Sequence, residues 1–199
     1  MIPKVSFIFS PGYNRRFKTH QDVQKRLKEE NLLYPSPDEI KNYIVKVEHE
    51  WRKKENSIYK EISKITELKW NEKLIKCYVI GFGTSFADPL TVRVHKNKND
   101  FIDMLTHELI HQIFLQNSYK TNRWWKRTRE KWNKETFSAK SHILVHAVHK
   151  HVYLKIFNKN RLSKDIKKAQ RTKAIDYKRA WEIVRNEGYQ SILEEFKKS

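Results

Sequence analysis

The chain has almost no cysteine and no long apolar run, and each absence excludes a class of protein. Cys77 is the single cysteine among 199 residues, so no internal disulfide can form and a reducing compartment is expected. No stretch approaches the roughly 18 consecutive apolar residues of a membrane-spanning helix. The apolar stretch VSFIFS near the N-terminus is too short for the core of a signal peptide. We therefore expect a cytoplasmic protein without a membrane partner.

Acidic residues are scarce relative to basic ones. The 42 Lys and Arg against 23 Asp and Glu give a formal net charge of +19, and 30 of the basic residues are Lys. This surplus makes a nucleic-acid partner worth considering, and Lys enrichment from an AT-rich genome accounts for it equally well. The apolar fraction of 38% is low, yet aromatic residues make up 13% of the chain and can supply much of a core. We expect a folded chain with a heavily charged surface.

Hydrophobic periodicity predicts an α+β chain. A short strand is expected over 4–9, and a long helix over 36–66, where Ser36, Pro37 and Glu39 form a typical helix start. An apolar stripe along that helix contains Ile40, Ile44, Val47, Trp51, Ile58, Ile62 and Ile65. Strands are predicted over 74–82 and 90–94. Further helices are predicted from 97–100 to Gln116, over 138–157, over 172–187 with Ala174, Trp181 and Val184 as packing residues, and at the C-terminus.

No internal repeat, low-complexity tract or linker is visible, which favours one domain over residues 1–199. Within that domain we expect a catalytic core over about 74–157 and a helical C-terminal part over 160–199.

The motif that carries chemistry is T-H-E-L-I-H at 106–111, inside a predicted helix. Residues four apart lie one turn apart on the same helix face, so His107 and His111 can bind one Zn²⁺. The carboxylate of Glu108 can then reach a water molecule at the metal and act as general base. Leu105 and Leu109 supply an apolar packing surface for the same helix. The alternative interpretation is an ordinary helix with two exposed histidines beside a glutamate.

The stretch PLTVRVHKNKNDFIDMLTHELIHQIF resembles the zincin metallopeptidases, in which an edge strand and a short connection precede the HExxH helix. The resemblance implies a small twisted sheet packed on helices, one catalytic zinc per chain, a cleft below the edge strand, and hydrolysis of peptide bonds in a peptide or protein substrate. The metzincin extension is missing, because Phe114 replaces its glycine and Asn117 stands where its third histidine would be.

The third metal ligand must therefore come from elsewhere in the chain. A catalytic zinc normally has three protein ligands and a water. The downstream helix contains S-H-I-L-V-H-A-V-H-K-H at 141–151, where His142 and His146 lie four residues apart. One of these two is expected as the third ligand, with a slight preference for His146, and the other as its neighbour. A third histidine resembles the SprT-like zincins, whereas gluzincins use a glutamate; Glu135 is the carboxylate alternative.

Other residues have weaker functional interpretations. His149 and His151 are interpreted as packing residues. Tyr153 and Tyr119 are candidates for polarising the scissile carbonyl, although most tyrosines are simply packed.

The stretch KTNRWWKRTREKWNK at 120–134 mixes cations with three tryptophans. Arg123, Lys126 and Arg127 could contact nucleic acid, as in SprT-like zincins that act on DNA-bound proteins. The favoured interpretation is a helix with its Trp face in the core and its charged face in water.

Overall fold

The computed structural model describes residues 2–171 and 174–199. The chain is an α+β protein, 68% helical, with a small four-stranded mixed sheet. Its elements in chain order are β1 (Lys4–Ile8), α1 (Pro11–Thr19), α2 (Gln21–Glu29), α3 (Pro37–Arg52), α4 (Glu55–Thr66), β2 (Leu74–Ile80), β3 (Phe86–Ala87), β4 (Leu90–Arg93), α5 (Lys98–Gln116), α6 (Ser118–Lys131), α7 (Phe137–Ile156), α8 (Lys159–Arg171), α9 (Ile175–Glu187) and α10 (Tyr189–Lys197). No helix among these residues is long and apolar enough to cross a membrane.

The chain forms two compact units. One consists of Met1–Asn56 and Glu72–Gln112, and the other of Ser57–Asn71 and Ile113–Ser199. Of the three divisions, one falls inside α4, one between α4 and β2, and one inside α5. The first unit contains the sheet, and the second contains helices α6–α10.

The sheet has the strand order β1-β2-β4-β3. β2 pairs in parallel with both β1 and β4, and β3 pairs antiparallel with β4. The expectation that 90–94 forms the edge strand is therefore wrong, because β3 occupies that edge. The chain reverses at Asp88–Pro89, which returns Phe86 to a position opposite Thr91. The first three residues of β4 are buried, as expected of an interior strand.

The predicted helix over 36–66 is two helices, because the chain leaves the helix at Lys53 and Lys54. The capping box of Ser36 and Glu39 is present at the start of α3, as predicted. Glu55 begins α4, and its carboxylate accepts hydrogen bonds from the Val5 N–H (2.7 Å) and the Trp51 indole N–H (2.9 Å). It also pairs with Arg52 (2.7 Å). These contacts outweigh one continuous helix. On both sides of the break most of the apolar stripe is buried, namely Ile40, Val47, Trp51, Ile58 and Ile62.

Helix α5 begins where the sequence predicts. The Asn99 N–H donates to the Asn97 side-chain carbonyl (2.8 Å), and Asp100 lies in the first turn, where a carboxylate favours the helix dipole. Within the first unit, the Phe101 ring on α5 contacts the Phe7 and Tyr43 rings at 5.9 and 5.6 Å. The HExxH segment therefore lies on a helix anchored in a packed core.

Helix α7 is the centre of the second unit. Thr136 caps it by accepting a hydrogen bond from the Ala139 N–H (3.0 Å), and α9 and α10 pack against it. Trp181 and Val184 on α9 are buried as predicted. Ala174 is exposed and precedes α9, so its predicted packing role is wrong. The predicted start of that helix, 172–173, lies outside the described residues.

Three helices and one strand were not anticipated: α1, α2, α8 and β3. Each contains too few apolar residues to show a recognisable hydrophobic periodicity. In α2, for example, Val23 and Leu27 alone are buried. Tertiary contacts rather than sequence pattern stabilise such short polar helices.

Candidate metal centre

Helix α5 brings the two histidines of the HExxH motif together. His107 and His111 are one turn apart, and their ring centroids are separated by 5.0 Å. His107 is buried and His111 is partly buried. This is the arrangement that the four-residue spacing predicts.

His142 on α7 completes a group of three histidines. His107, His111 and His142 each offer one ligand atom, and these atoms all lie within 4.8 Å of one another. Two nitrogens bound to one zinc at about 2.1 Å lie at most about 4.2 Å apart. The three histidines therefore lie close enough to one another to bind a metal ion.

The surroundings of His142 suit a metal ligand. Its Nδ1 lies 2.8 Å from the Ser138 carbonyl oxygen. A carbonyl oxygen only accepts, so this bond requires the proton on Nδ1 and leaves the Nε2 lone pair of a neutral ring for a metal. Burial lowers the pKa of His142, partly offset by the bond to Ser138. The neutral tautomer that can coordinate a metal is therefore favoured.

His146, the slightly preferred third ligand, is placed differently. Its ring stacks on Trp181 with centroids 4.4 Å apart, and it lies 5.6 Å from the His142 ring. Tyr177 on α9 contacts both rings, at 4.1 Å from His142 and 5.7 Å from His146. His146 is thus a packed neighbour of the histidine that joins the group. Sequence reasoning missed Tyr177, since an aromatic residue on a separate helix gives no local signal.

Glu108 is 5% exposed and lies between the two α5 histidines in sequence. Burial raises its pKa from 4.5 to about 8. The Cys77 thiol in β2 has a pKa far above its usual range. Burial is the main cause, and the negative charge of Glu108 makes a smaller contribution. A buried carboxyl poised near neutrality is suited to proton transfer.

The other predicted residues on α7 are in packed positions. The fully buried Tyr153 stacks on His149, with ring centroids 4.5 Å apart. His151 forms a 2.6 Å hydrogen bond with Glu61. These contacts agree with the packing interpretation of His149 and His151. Tyr119 on α6 is 77% exposed.

The carboxylate alternative for the third ligand has another partner. Glu135 accepts two hydrogen bonds from the Arg179 guanidinium, at 2.9 and 2.7 Å. These bonds strongly raise the pKa of Arg179.

Most of the basic stretch folds as helix α6, which has one buried face and one exposed, positively charged face. Trp124 is 1% exposed, and Trp132, just beyond the helix, is also buried. Arg123, Lys126 and Arg127 are exposed. The indoles of Trp124 and Trp132 and the exposed cations agree with the packing interpretation that the sequence favoured, whereas Trp125 is only half-buried.

A groove of about 530 Å³ borders β3 in the first unit. Its apolar lining includes Tyr13 and Phe17 of α1 together with Phe86 and Pro89. The Gln112 side chain, next to His111 in sequence, donates a hydrogen bond to the Ala87 carbonyl of β3. This bond ties the end of the HExxH segment to the sheet edge.

Comparison with protein-family models, curated proteins and solved structures finds no match for this chain.

Proposed function

We propose that this protein is a zinc-dependent metallopeptidase of the zincin type. The observation that carries the proposal is the group of His107, His111 and His142 beside the buried Glu108. Imidazole nitrogens suit zinc, and three protein ligands leave a coordination position for water or substrate. A purely structural zinc site would more often have four protein ligands and has no need of a buried carboxyl.

The residues divide the chemistry between them. The three histidines would hold the ion, and the bond from His142 to Ser138 fixes the orientation of that ring. A bound zinc supplies a Lewis acid and lowers the pKa of water towards neutrality. Glu108 accepts the proton of the attacking water and delivers it to the leaving amine.

Two features of the first unit support a peptide as the substrate. β3 is one of the two edge strands of the sheet, and an extended peptide can add to such an edge. The groove beside β3 is lined by aromatic rings that can receive an apolar side chain. Both features agree with the zincin arrangement, in which substrate binds along an edge strand near the HExxH helix.

The second candidate function is a DNA-associated protease of the SprT-like kind, or a non-catalytic protein that binds zinc and nucleic acid. The exposed cations Arg123, Lys126 and Arg127 of α6 favour it, together with the net charge of +19. Retention on DNA that falls steeply with salt would support this candidate, because each phosphate contact releases counterions.

Casein or a peptide library, incubated with zinc-loaded protein, tests the proposed function. Cleavage that stops on chelation and returns with added zinc is the expected result. Intact substrate after prolonged incubation with stoichiometrically loaded protein would contradict the peptidase proposal.

A further inference from the structure

A small cavity in the second unit lies among helices α7, α8 and α9. Its volume is about 80 Å³. The side chains that line it include Lys150, Gln170, Lys178, Trp181, Glu182 and Arg185. Neither the metal ligands nor the proposed general base belongs to this group.

The charge around this cavity is unbalanced. Lys150, Lys178 and Arg185 form no ion pair with any acidic residue that the structure describes. The single lining carboxylate, Glu182, already pairs with Arg179 at 3.3 Å. Three cations therefore line one small space without a counter-ion from the described part of the protein; Lys150 is partly buried, and Lys178 and Arg185 are exposed.

Lys150 is the least exposed of the three cations and would gain most from a bound anion. Its ammonium lies 5.2 Å from the centre of the Tyr189 ring, and the side chain is partly buried. Burial lowers the pKa of Lys150. A bound anion would offset that loss of hydration, since charge-assisted hydrogen bonds are strong where water is excluded.

We propose that this cavity, the α7–α9 pocket, binds a tetrahedral oxyanion, either phosphate itself or the phosphate group of a small monoester. Size supports the choice, because the volume is about half of the roughly 150 Å³ that accommodates benzene, so only the phosphate group of an ester would lie inside the pocket. Lys150, Lys178 and Arg185 supply the positive charge, and the Gln170 amide supplies a neutral donor. The site is independent of the proposed peptidase activity.

A tryptophan in the pocket allows binding to be followed by fluorescence. Trp181 lines it and also stacks on His146 at 4.4 Å. An anion bound beside this indole should change its fluorescence. Trp181→Phe removes the signal while keeping an aromatic ring against His146.

The test is calorimetric titration of the full chain with inorganic phosphate and, separately, with phenyl phosphate in chloride buffer. Saturable binding of one phosphate per chain is expected. The double variant Lys150→Gln/Arg185→Gln should bind at least about tenfold more weakly, the usual scale for losing charge-assisted hydrogen bonds. Equal binding of both ligands identifies a phosphate-group site, whereas binding of inorganic phosphate alone identifies a free-oxyanion site.

The matched control is Lys155→Gln/Lys164→Gln, which removes two exposed charges from α7 and α8 outside the pocket. It should bind phosphate within about twofold of the unmodified protein. Equal weakening by both double variants would mean diffuse electrostatics and overturn the proposal, as would an absence of saturable binding.

Two further variants distinguish the α7–α9 pocket from phosphate binding elsewhere on the chain. Lys178→Glu changes an exposed side chain, so it tests the pocket even if the double variant fails to fold. It should also weaken phosphate binding at least about tenfold. His107→Ala should leave phosphate binding intact; loss of binding in that variant would place the anion at the metal centre and contradict the proposal.

Discussion

The His142 Nδ1 atom lies 2.8 Å from the Ser138 carbonyl oxygen, one helical turn earlier on α7. This bond fixes the ring tautomer that can present Nε2 to a metal. His142 shares the group with His107 and His111, whereas His146 packs on Trp181. The two α7 histidines should therefore respond differently to mutation.

Replacement of His107, His111 or His142 by alanine should abolish stoichiometric zinc, because two remaining ligands hold the ion poorly. His146→Ala should weaken zinc binding by no more than about 100-fold, the upper end of the range for a residue that supports a metal ligand without binding the metal. Metal analysis after dialysis, with competition against a chromogenic chelator, measures both effects. If the His146 variant loses zinc and the His142 variant keeps it, the ligand assignment is reversed.

Glu108→Gln should separate catalysis from metal binding. Glutamine keeps nearly the same volume and can still hydrogen-bond water, but it cannot accept a proton. Zinc content should be unchanged while peptide cleavage falls by about 10²- to 10⁴-fold. Cleavage at the unmodified rate in a zinc-loaded Glu108→Gln variant would exclude Glu108 as the general base.

The metal-free protein should lose stability as pH rises from about 4.5 to about 8. Burial raises the pKa of Glu108 from 4.5 to about 8, so in this window the folded state binds a proton that the unfolded state has released. Unfolding free energy then falls with rising pH, by at most on the order of 1.4 kcal/mol per pH unit. Urea titrations in chelator measure the slope. Glu108→Gln should remove this contribution, and an unchanged slope in that variant would assign it to other groups.

The thiol of Cys77 should be inert in the folded protein. Cys77 is buried, and desolvation with a smaller contribution from Glu108 raises its pKa far above the usual range. Thiolate is the reactive form, so a disulfide reagent at pH 8 should react with less than about a tenth of the native chains within an hour. Full reaction in denaturant is the control. Rapid labelling of the native protein would show that this strand is accessible.

Glu55→Gln should destabilise the first unit by about 1–3 kcal/mol, because it weakens the buried hydrogen bonds from the Val5 N–H and the Trp51 indole and breaks a partly buried ion pair with Arg52. Glu50→Gln is the matched control, since Glu50 pairs with the exposed Lys53 at 3.0 Å. That change should cost less than about 0.5 kcal/mol. Chemical denaturation of both variants gives the comparison, and equal losses would show that burial of Glu55 contributes little.

Several local features of this protein can be read from the order of its residues. Helix α5 follows from its cap and apolar spacing, and the four-residue interval brings His107 and His111 onto one face. The buried face of α6 can likewise be predicted from sequence. Trp124 and Thr128 are four residues apart and share one helix face, whereas Arg123 and Lys126 lie on another. These features depend on residues within a few positions of one another.

Contacts between distant segments account for the rest. His142 and His146 lie on one helix four residues apart, and contacts from other helices distinguish them: His142 joins the group with His107 and His111, whereas His146 stacks on Trp181. The break before Glu55 depends on a hydrogen bond from Val5, fifty residues away. The physical reason is the same in each case: burial and partners come from distant segments, and these outweigh the local preferences that a sequence pattern reveals.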